Sequence, residues 1–323
     1  MKNIAIVCGG NSGEYEVSMG SGQAVKKFLD KKKYNSYLIE IRGSNWTYTA
    51  ANGARYAVDQ SDFSLNLPEG KVLFDGVFNA VHGTPGEDGK LQGYLDMHAI
   101  PYTSCGVDTS SLTFNKYYCN HFIRSLDVLT PGGLSFKRSD EINREAVIDT
   151  LGMPLFIKPA RSGSSVGVSK VKTEEDFEAA VEKAFLEDDR ILIEEALQGR
   201  ELTCGVFCKG KEMMVFPLTE IVAHNEFFDY EAKYHGASDE ITPADVSAEL
   251  DTQIKTLSSF LYHKLDCKGF VRFDYIVTPD ETYFLEVNTV PGMTEASIIP
   301  QQAAAYGLSK QQLFTLAVDA LFE

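Results

Sequence analysis

Ile157-Lys158-Pro159-Ala160-Arg161-Ser162-Gly163-Ser164-Ser165-Val166-Gly167-Val168 is a run of small residues bounded by Lys and Arg. Leu155–Lys158 reads as a short strand and Val166–Val171 alternates as a second, so the chain turns between them. Such a loop can aim successive backbone N–H groups at phosphate oxygens, with the serine hydroxyls as further donors. It also fits a flexible Gly/Ser hairpin, and the loop by itself does not decide between the two. No GKS or GKT follows, and the next element alternates as a strand instead of opening a helix, which sets it apart from a Walker A loop. Gly205-x4-Gly210-Lys211 imitates that pattern more closely, but Glu212 follows and Lys209–Lys211 reads as a surface turn.

Before this loop, strand-like and helix-like stretches alternate. Ile4–Val7 is apolar and closed by Gly9-Gly10, Gly22–Leu29 has helical character, and Tyr37–Ile41 and Gly76–Val81 are strand candidates. A βαβ rhythm of this kind predicts an open, mostly parallel sheet with ligands at the C-terminal strand ends. After the loop, Thr173 with Asp176 has the capping-box spacing. Phe177, Ala180, Val181, Ala184 and Phe185 supply the apolar stripe of the helix it would open. Ile191–Glu194 begins another strand. Gly269–Val277 and Thr282–Asn288 flank Thr278-Pro279-Asp280-Glu281 as a hairpin, and Ser309 with Gln312 caps a closing helix. Boundaries fall near residues 104 and 193, giving domains 1–104, 105–193 and 194–323.

The chain has 323 residues, 46 acidic and 30 basic, for a net charge of −16. That balance argues against a nucleic-acid partner, which requires a basic face. It leaves room for a small anionic ligand met by a few local cations. No apolar run approaches the ~20 residues that span a bilayer, so no membrane partner is expected. The first ten residues read as a buried strand and not as a secretory signal. Six scattered cysteines form no CxxC pair, so a reduced, cytoplasmic protein is expected.

Chemistry concentrates in a few stretches. On a strand, period 2 puts Arg272 and Asp274 on one face, and likewise Glu286 and Asn288. Three hard oxygen donors completed by phosphate oxygens are what Mg²⁺ takes. An exposed acidic hairpin is the other reading, but Phe273, Tyr275, Leu285 and Val287 require one buried face. Asp274 and Glu286 face each other only if the loop has an odd number of residues or a bulge intervenes. Val290-Pro291-Gly292-Met293-Thr294 then forms a turn whose Gly292 N–H is suited to an oxyanion. His82, within His82-Gly83-Thr84-Pro85-Gly86-Glu87-Asp88-Gly89, follows a strand, as does Gly9-Gly10-Asn11-Ser12-Gly13-Glu14-Tyr15-Glu16-Val17-Ser18. The latter is no GxGxxG fingerprint; Glu16 directed at an ammonium suits it better. Phe228–Tyr234 lies in a long aperiodic stretch of the sort that forms lids, with Lys233 in reach of a phosphate.

Six of these motifs, in order, resemble the D-alanine–D-alanine ligase family of the ATP-grasp superfamily: GGxSxExEVS, HGxxGEDG, the Lys158–Val168 loop, YEAKY, RxD and ExNTxPGMTxxS. The resemblance spans essentially the whole chain. It implies a three-domain α/β fold, α+β in its C-terminal part, with ATP gripped between the central and C-terminal domains. It implies further that Lys116, Lys158 and Lys233 contact ATP phosphates and that Ser164 and Ser165 lie in the phosphate loop. Glu194 and Leu197 border the adenine and Glu201 meets the ribose. Asp274, Glu286 and Asn288 become ligands of two Mg²⁺ (or Mn²⁺). Glu16, linked with Ser165 and Tyr234, binds the ammonium of the first D-alanine beside His82. Arg272 and Gly292 stabilise the oxyanion, while Ser297 and Ile298 hold the second D-alanine. The implied protein is a cytoplasmic homodimer making D-alanyl-D-alanine for peptidoglycan through an acyl phosphate. Tyr234 is the residue type associated with D-alanine as second substrate. Glu195 departs from the pattern, since many relatives place there a Lys that reaches adenine, and Tyr15 stands where His or Arg is common. Use of D-serine or D-lactate as second substrate, or a non-catalytic nucleotide-binding role, are the competing readings.

Overall fold

The computed structural model describes residues 1–163, 165–223 and 238–323. Three sheets follow one another along the chain. In the first, β1 (Lys2–Gly9) lies parallel to both β2 (Tyr34–Arg42) and β7 (Gly76–Asn79). α1 (Tyr15–Phe28) forms the crossover from β1 to β2. Ile4–Cys8 are fully buried because each face of β1 is covered. Ile4, Ile6 and Cys8 pack with Val25 and Leu29 on one side, and Ala5 and Val7 pack with Ile39, Phe63, Leu91 and Leu95 on the other. That double burial is why the strand reads as an unbroken apolar run and not as an alternation.

The expected parallel arrangement is confined to β2-β1-β7. Four short strands, β3 (Asn45–Thr49), β4 (Arg55–Asp59), β5 (Ser64–Leu67) and β6 (Gly70–Leu73), extend the sheet as an antiparallel meander to the order β6-β5-β4-β3-β2-β1-β7. Their connections are too short for parallel crossovers. After α2 (Lys90–Met97), α3 (Val107–Phe114) and α4 (Lys116–Arg124) comes an antiparallel sheet of order β10-β9-β11-β8. It is built from β8 (Gly133–Lys137), β9 (Leu155–Pro159), β10 (Ser169–Val171) and β11 (Arg190–Glu195). α5 (Arg144–Leu151) and α6 (Phe177–Glu187) share its core with Leu155, Ile157, Ile191 and Ile193. Two local expectations shift here. The strand anticipated at Val166–Val171 is reduced to Ser169–Val171 because residues 165–167 are spent on turns. Thr173 donates to the Asp176 carboxylate instead of capping a backbone N–H, and a 3-10 turn precedes α6.

The third sheet comprises β12 (Arg200–Lys209), β13 (Glu212–Val215), β14 (Thr219–Ala223), β15 (Ser238–Ile241), β16 (Val271–Val277) and β17 (Thr282–Asn288). Its order is β15-β14-β12-β16-β17, with β13 also on β12, and α7 (Ala248–Lys264) packs beneath it. α8 (Ile298–Tyr306) and α9 (Lys310–Asp319) then return to the first sheet, where Leu313 and Phe314 meet Ile4, Ile6 and Phe78. The capping box expected at Ser309 and Gln312 is present at the start of α9. Among the described residues no helix is long and apolar enough to cross a membrane.

Gln302 holds α8 to the third sheet. β12 pairs with β14 through Thr203 and with β13 from Val206 onward, leaving a gap in the ladder between them. The fully buried Gln302 amide fills it: Oε1 accepts from Gly205 N–H at 3.0 Å, and Nε2 donates to Thr203 O at 3.0 Å and Thr219 Oγ1 at 3.1 Å. A Cβ on Gly205 would lie 2.5 Å from that same Oε1, so glycine is required there. Gln302→Leu keeps the volume but strands buried polar groups, and should cost about 2–4 kcal/mol in urea unfolding.

Candidate active site

Between the second and third sheets lies a cavity of 460 Å³ with walls from Phe156, Val168, Leu197, Ile276 and Leu285. Strand alternation on β9 explains its polar end. Leu155 and Ile157 enter the core, whereas Phe156 and Lys158 face the cavity. Lys158 Nζ pairs with Glu194 Oε2 at 2.5 Å, and Glu194 Oε1 accepts from Asn120 Nδ2 at 3.0 Å, with both charged side chains almost wholly buried. Lys116 opens α4, whose N-cap is Asn115. Its ammonium donates to Ser162 O at 2.9 Å in the glycine-rich loop and pairs with Glu286 at 3.2 Å. Burial opposes that charge, but Glu286, with Glu194 and Glu87 farther off, more than offsets it and holds the ammonium above its ordinary range. Glu195 also lines the cavity and accepts from Gly132 N–H at 2.6 Å, so this departure from the family pattern fastens the segment before β8.

β16 and β17 carry the next group. The turn Thr278–Glu281 pairs Val277 with Thr282, a register that would slide Asp274 past Glu286. A bulge between Asp274 and Tyr275 restores it: Asp274 faces Glu286 and Arg272 faces Asn288. Phe273, Tyr275, Phe284 and Val287 sink into the core beneath, so the polar residues point into the cavities. Arg272 grips both Asp274 oxygens, at 2.8 and 2.7 Å. Among the described residues no three His, Cys, Asp or Glu side chains cluster as a metal site. Asp274, Glu286 and Asn288 nonetheless present three hard oxygen donors side by side at this end of the hairpin, a donor type that suits a cation such as Mg²⁺.

A second cavity, of 380 Å³, adjoins the first and shares with it Lys116, Ser162, Glu201, Ile221 and Glu286. His82 is buried in its wall, with Nδ1 2.7 Å from Val290 O and Nε2 3.0 Å from Ser21 Oγ, which in turn accepts from Met293 N–H at 3.0 Å. Burial lowers its proton affinity, so the ring is neutral and joins α1 to the 290–294 turn. Ser297, the N-cap of α8, accepts from Thr294 N–H at 3.1 Å. A Cβ on Gly292 would come within 2.7 Å of its hydroxyl.

Lys158, Ser165, Glu194 and Leu197 line the first cavity, and His82, Arg272, Asp274, Asn288, Gly292, Ser297 and Ile298 line the second. Lys116, Glu201 and Glu286 line both. Ser164, Lys233 and Tyr234 lie outside the described residues. Glu16 is a correction: it is exposed on α1 and lines neither cavity. Glu14 enters the second cavity instead, packed so closely on Gly163 that a Cβ there would lie within van der Waals overlap of its carboxylate. Helical spacing carried the signal, because Glu14, Ser18, Ser21 and Val25 share a face and the last three are buried. The second residue not singled out is Glu87, inside the His82 motif, whose buried carboxylate accepts from Gly83 N–H at 2.5 Å.

Residues 3–105 match the family description "D-ala D-ala ligase N-terminus" and residues 127–319 match "D-ala D-ala ligase C-terminus". The D-alanine--D-alanine ligase of Bacteroides fragilis is 46% identical over 322 residues, covering 99% of each chain. Among solved structures, the VanG D-Ala:D-Ser ligase of Enterococcus faecalis superposes with a TM-score of 0.88 at 33% identity, covering 99% of each chain. The ATP complex of the Bacillus anthracis D-alanine--D-alanine ligase gives 0.79 at 28%, covering 99% of this chain and 97% of that one. Two matched regions, full-length identity and two charged cavities meeting at Lys116 and Glu286 place this chain in the D-alanine–D-alanine ligase family.

Proposed function

We propose that this chain joins two D-alanine molecules at the expense of ATP, by way of D-alanyl phosphate. The supporting observation is that a nucleotide-sized cavity and a smaller polar one share Lys116 and Glu286, so a phosphoryl group in one is within reach of a carboxylate in the other. A carboxylate is a poor acyl donor because oxide would have to leave. Phosphorylation supplies a leaving group, and the amine of a second D-alanine then displaces phosphate.

In this reading Phe156 and Leu197 enclose the base, Glu194 borders it, and Glu201 meets the ribose. Lys116, Lys158 and Ser165 hold phosphate oxygens. Asp274, Glu286 and Asn288 would hold two Mg²⁺ (or Mn²⁺), which neutralise charge on the transferring phosphoryl group when bound. Glu14, rather than Glu16, takes the first D-alanine's ammonium near His82. Arg272 and the Gly292 N–H face the oxyanion of the tetrahedral adduct. Ser297 at the N-terminus of α8 receives the second carboxylate, with Ile298 against its methyl group. Family membership supports a cytoplasmic homodimer supplying peptidoglycan precursor as the setting.

Phosphate release from ATP should require D-alanine and Mg²⁺ together and stop on chelation. Stimulation by D-serine or D-lactate as second substrate but not by D-alanine would move the assignment to the related ligases. Glu14→Gln should lower kcat/KM for D-alanine about thirtyfold or more, the scale of breaking a buried charge pair. Glu16→Gln should change it less than about twofold, as expected of an exposed side chain. The opposite ranking would return the ammonium to Glu16.

A further inference from the structure

Glu87 lies between β7 and α2, its carboxylate nine-tenths buried in the wall of the smaller cavity. Gly83 N–H anchors one oxygen at 2.5 Å. Glu14 faces it from the start of α1 and Lys116 from α4, while the neutral His82 of its own loop is committed to Ser21 and Val290. Burial, reinforced by the nearby Glu14 charge, pushes the Glu87 carboxyl up to about 8, and the bonds from Gly83 and Val290 N–H only partly counter this.

One chemical requirement is left without a residue. The second D-alanine arrives as an ammonium with no lone pair, and it must shed a proton before it can attack. Among the described residues, the other titratable groups lining the cavity are committed, with Glu201 assigned to the ribose. Asp274 gives both oxygens to Arg272, Glu286 pairs with Lys116, Glu240 accepts from Gln301, and His82 has both ring nitrogens engaged. Glu14 is assigned to the first ammonium. A carboxylate in the usual range near 4.3 would take the proton only steeply uphill. One held closer to an ammonium's own affinity accepts it at much lower cost.

We propose that Glu87 is the proton acceptor that turns the second D-alanine into the attacking amine, an assignment resting on the peptide-forming reading above. The ammonium gives one proton to the Glu87 carboxylate, and the amine lone pair forms the C–N bond to the acyl carbon. The adduct passes its second proton to the phosphate oxygen, and the C–O bond breaks with its electron pair leaving on phosphate. Glu87 returns its proton to solvent after the dipeptide departs.

Hydroxylamine tests this directly, because it is already neutral at pH 7 and traps an acyl phosphate without a base. Wild type, Glu87→Gln and Glu87→Asp are given ATP, Mg²⁺ and D-alanine with and without hydroxylamine, and dipeptide and D-alanyl hydroxamate are quantified. Glu87→Gln should lose dipeptide formation about a hundredfold while hydroxamate formation falls less than about threefold, the range expected for removing a general base. Glu87→Asp should restore part of the dipeptide rate, which keeps the test decisive if the Gln variant folds poorly. Parallel loss of both products, or an undiminished dipeptide rate, overturns the assignment. A wild type that forms neither product would instead overturn the ligase reading itself.

Discussion

Three ion pairs line the seam between the second and third sheets: Lys158 with Glu194, Lys116 with Glu286, and Arg272 with Asp274. Two of them are almost entirely withdrawn from water, and a charge in such a place persists only with a partner. Everything around the seam serves that condition. The alternation of β9 turns Lys158 away from the core, Asn120 braces Glu194, and the bulge on β16–β17 brings Asp274 opposite Glu286. The cations are thus pre-organised by carboxylates, and in the proposed reading an incoming triphosphate exchanges one set of anionic oxygens for another without leaving a cation unpaired. Glu286 is where the exchange matters most, because it faces both cavities and holds Lys116 between them.

The same constraint accounts for how an acidic chain handles an anionic ligand. A total of −16 describes the surface, while the ligand meets a local balance set by a few buried groups. Glu14 and Glu87 both line the smaller cavity, where the proposed reaction puts ammonium groups and not phosphates. In that reading, opposite charge demands fall to two adjoining cavities that share Lys116 and Glu286.

Much of this was legible in the sequence, for identifiable reasons. Period-2 alternation at Arg272–Asp274 and Glu286–Asn288 showed which side chains share a face, and parity showed that a bulge or an odd loop was needed. The capping box at Ser309 was fully local, so it was read correctly. What escaped depends on distant parts of the chain. The β3–β6 meander is made of strands of four or five residues, too short to carry a clear period. The return of α8 and α9 to the first sheet, and the Gln302 amide filling a gap in β12, arise from packing between segments about a hundred residues or more apart. The sequence reading names Glu16 and passes over Glu14, which sits two residues before it in the same motif. Only the helical face running through Ser18, Ser21 and Val25 separates them, and that face had to be traced from the correct start of α1.

The central claim is that this seam activates a carboxylate by phosphorylating it, and isotope transfer reads that step without reference to any single residue. D-Alanine labelled with ¹⁸O in its carboxylate is turned over with unlabelled ATP and Mg²⁺, and the released phosphate is analysed by mass spectrometry. An acyl phosphate carries one substrate oxygen into each phosphate, so the phosphate should gain one ¹⁸O per dipeptide formed. Dipeptide accompanied by unlabelled phosphate would contradict the account.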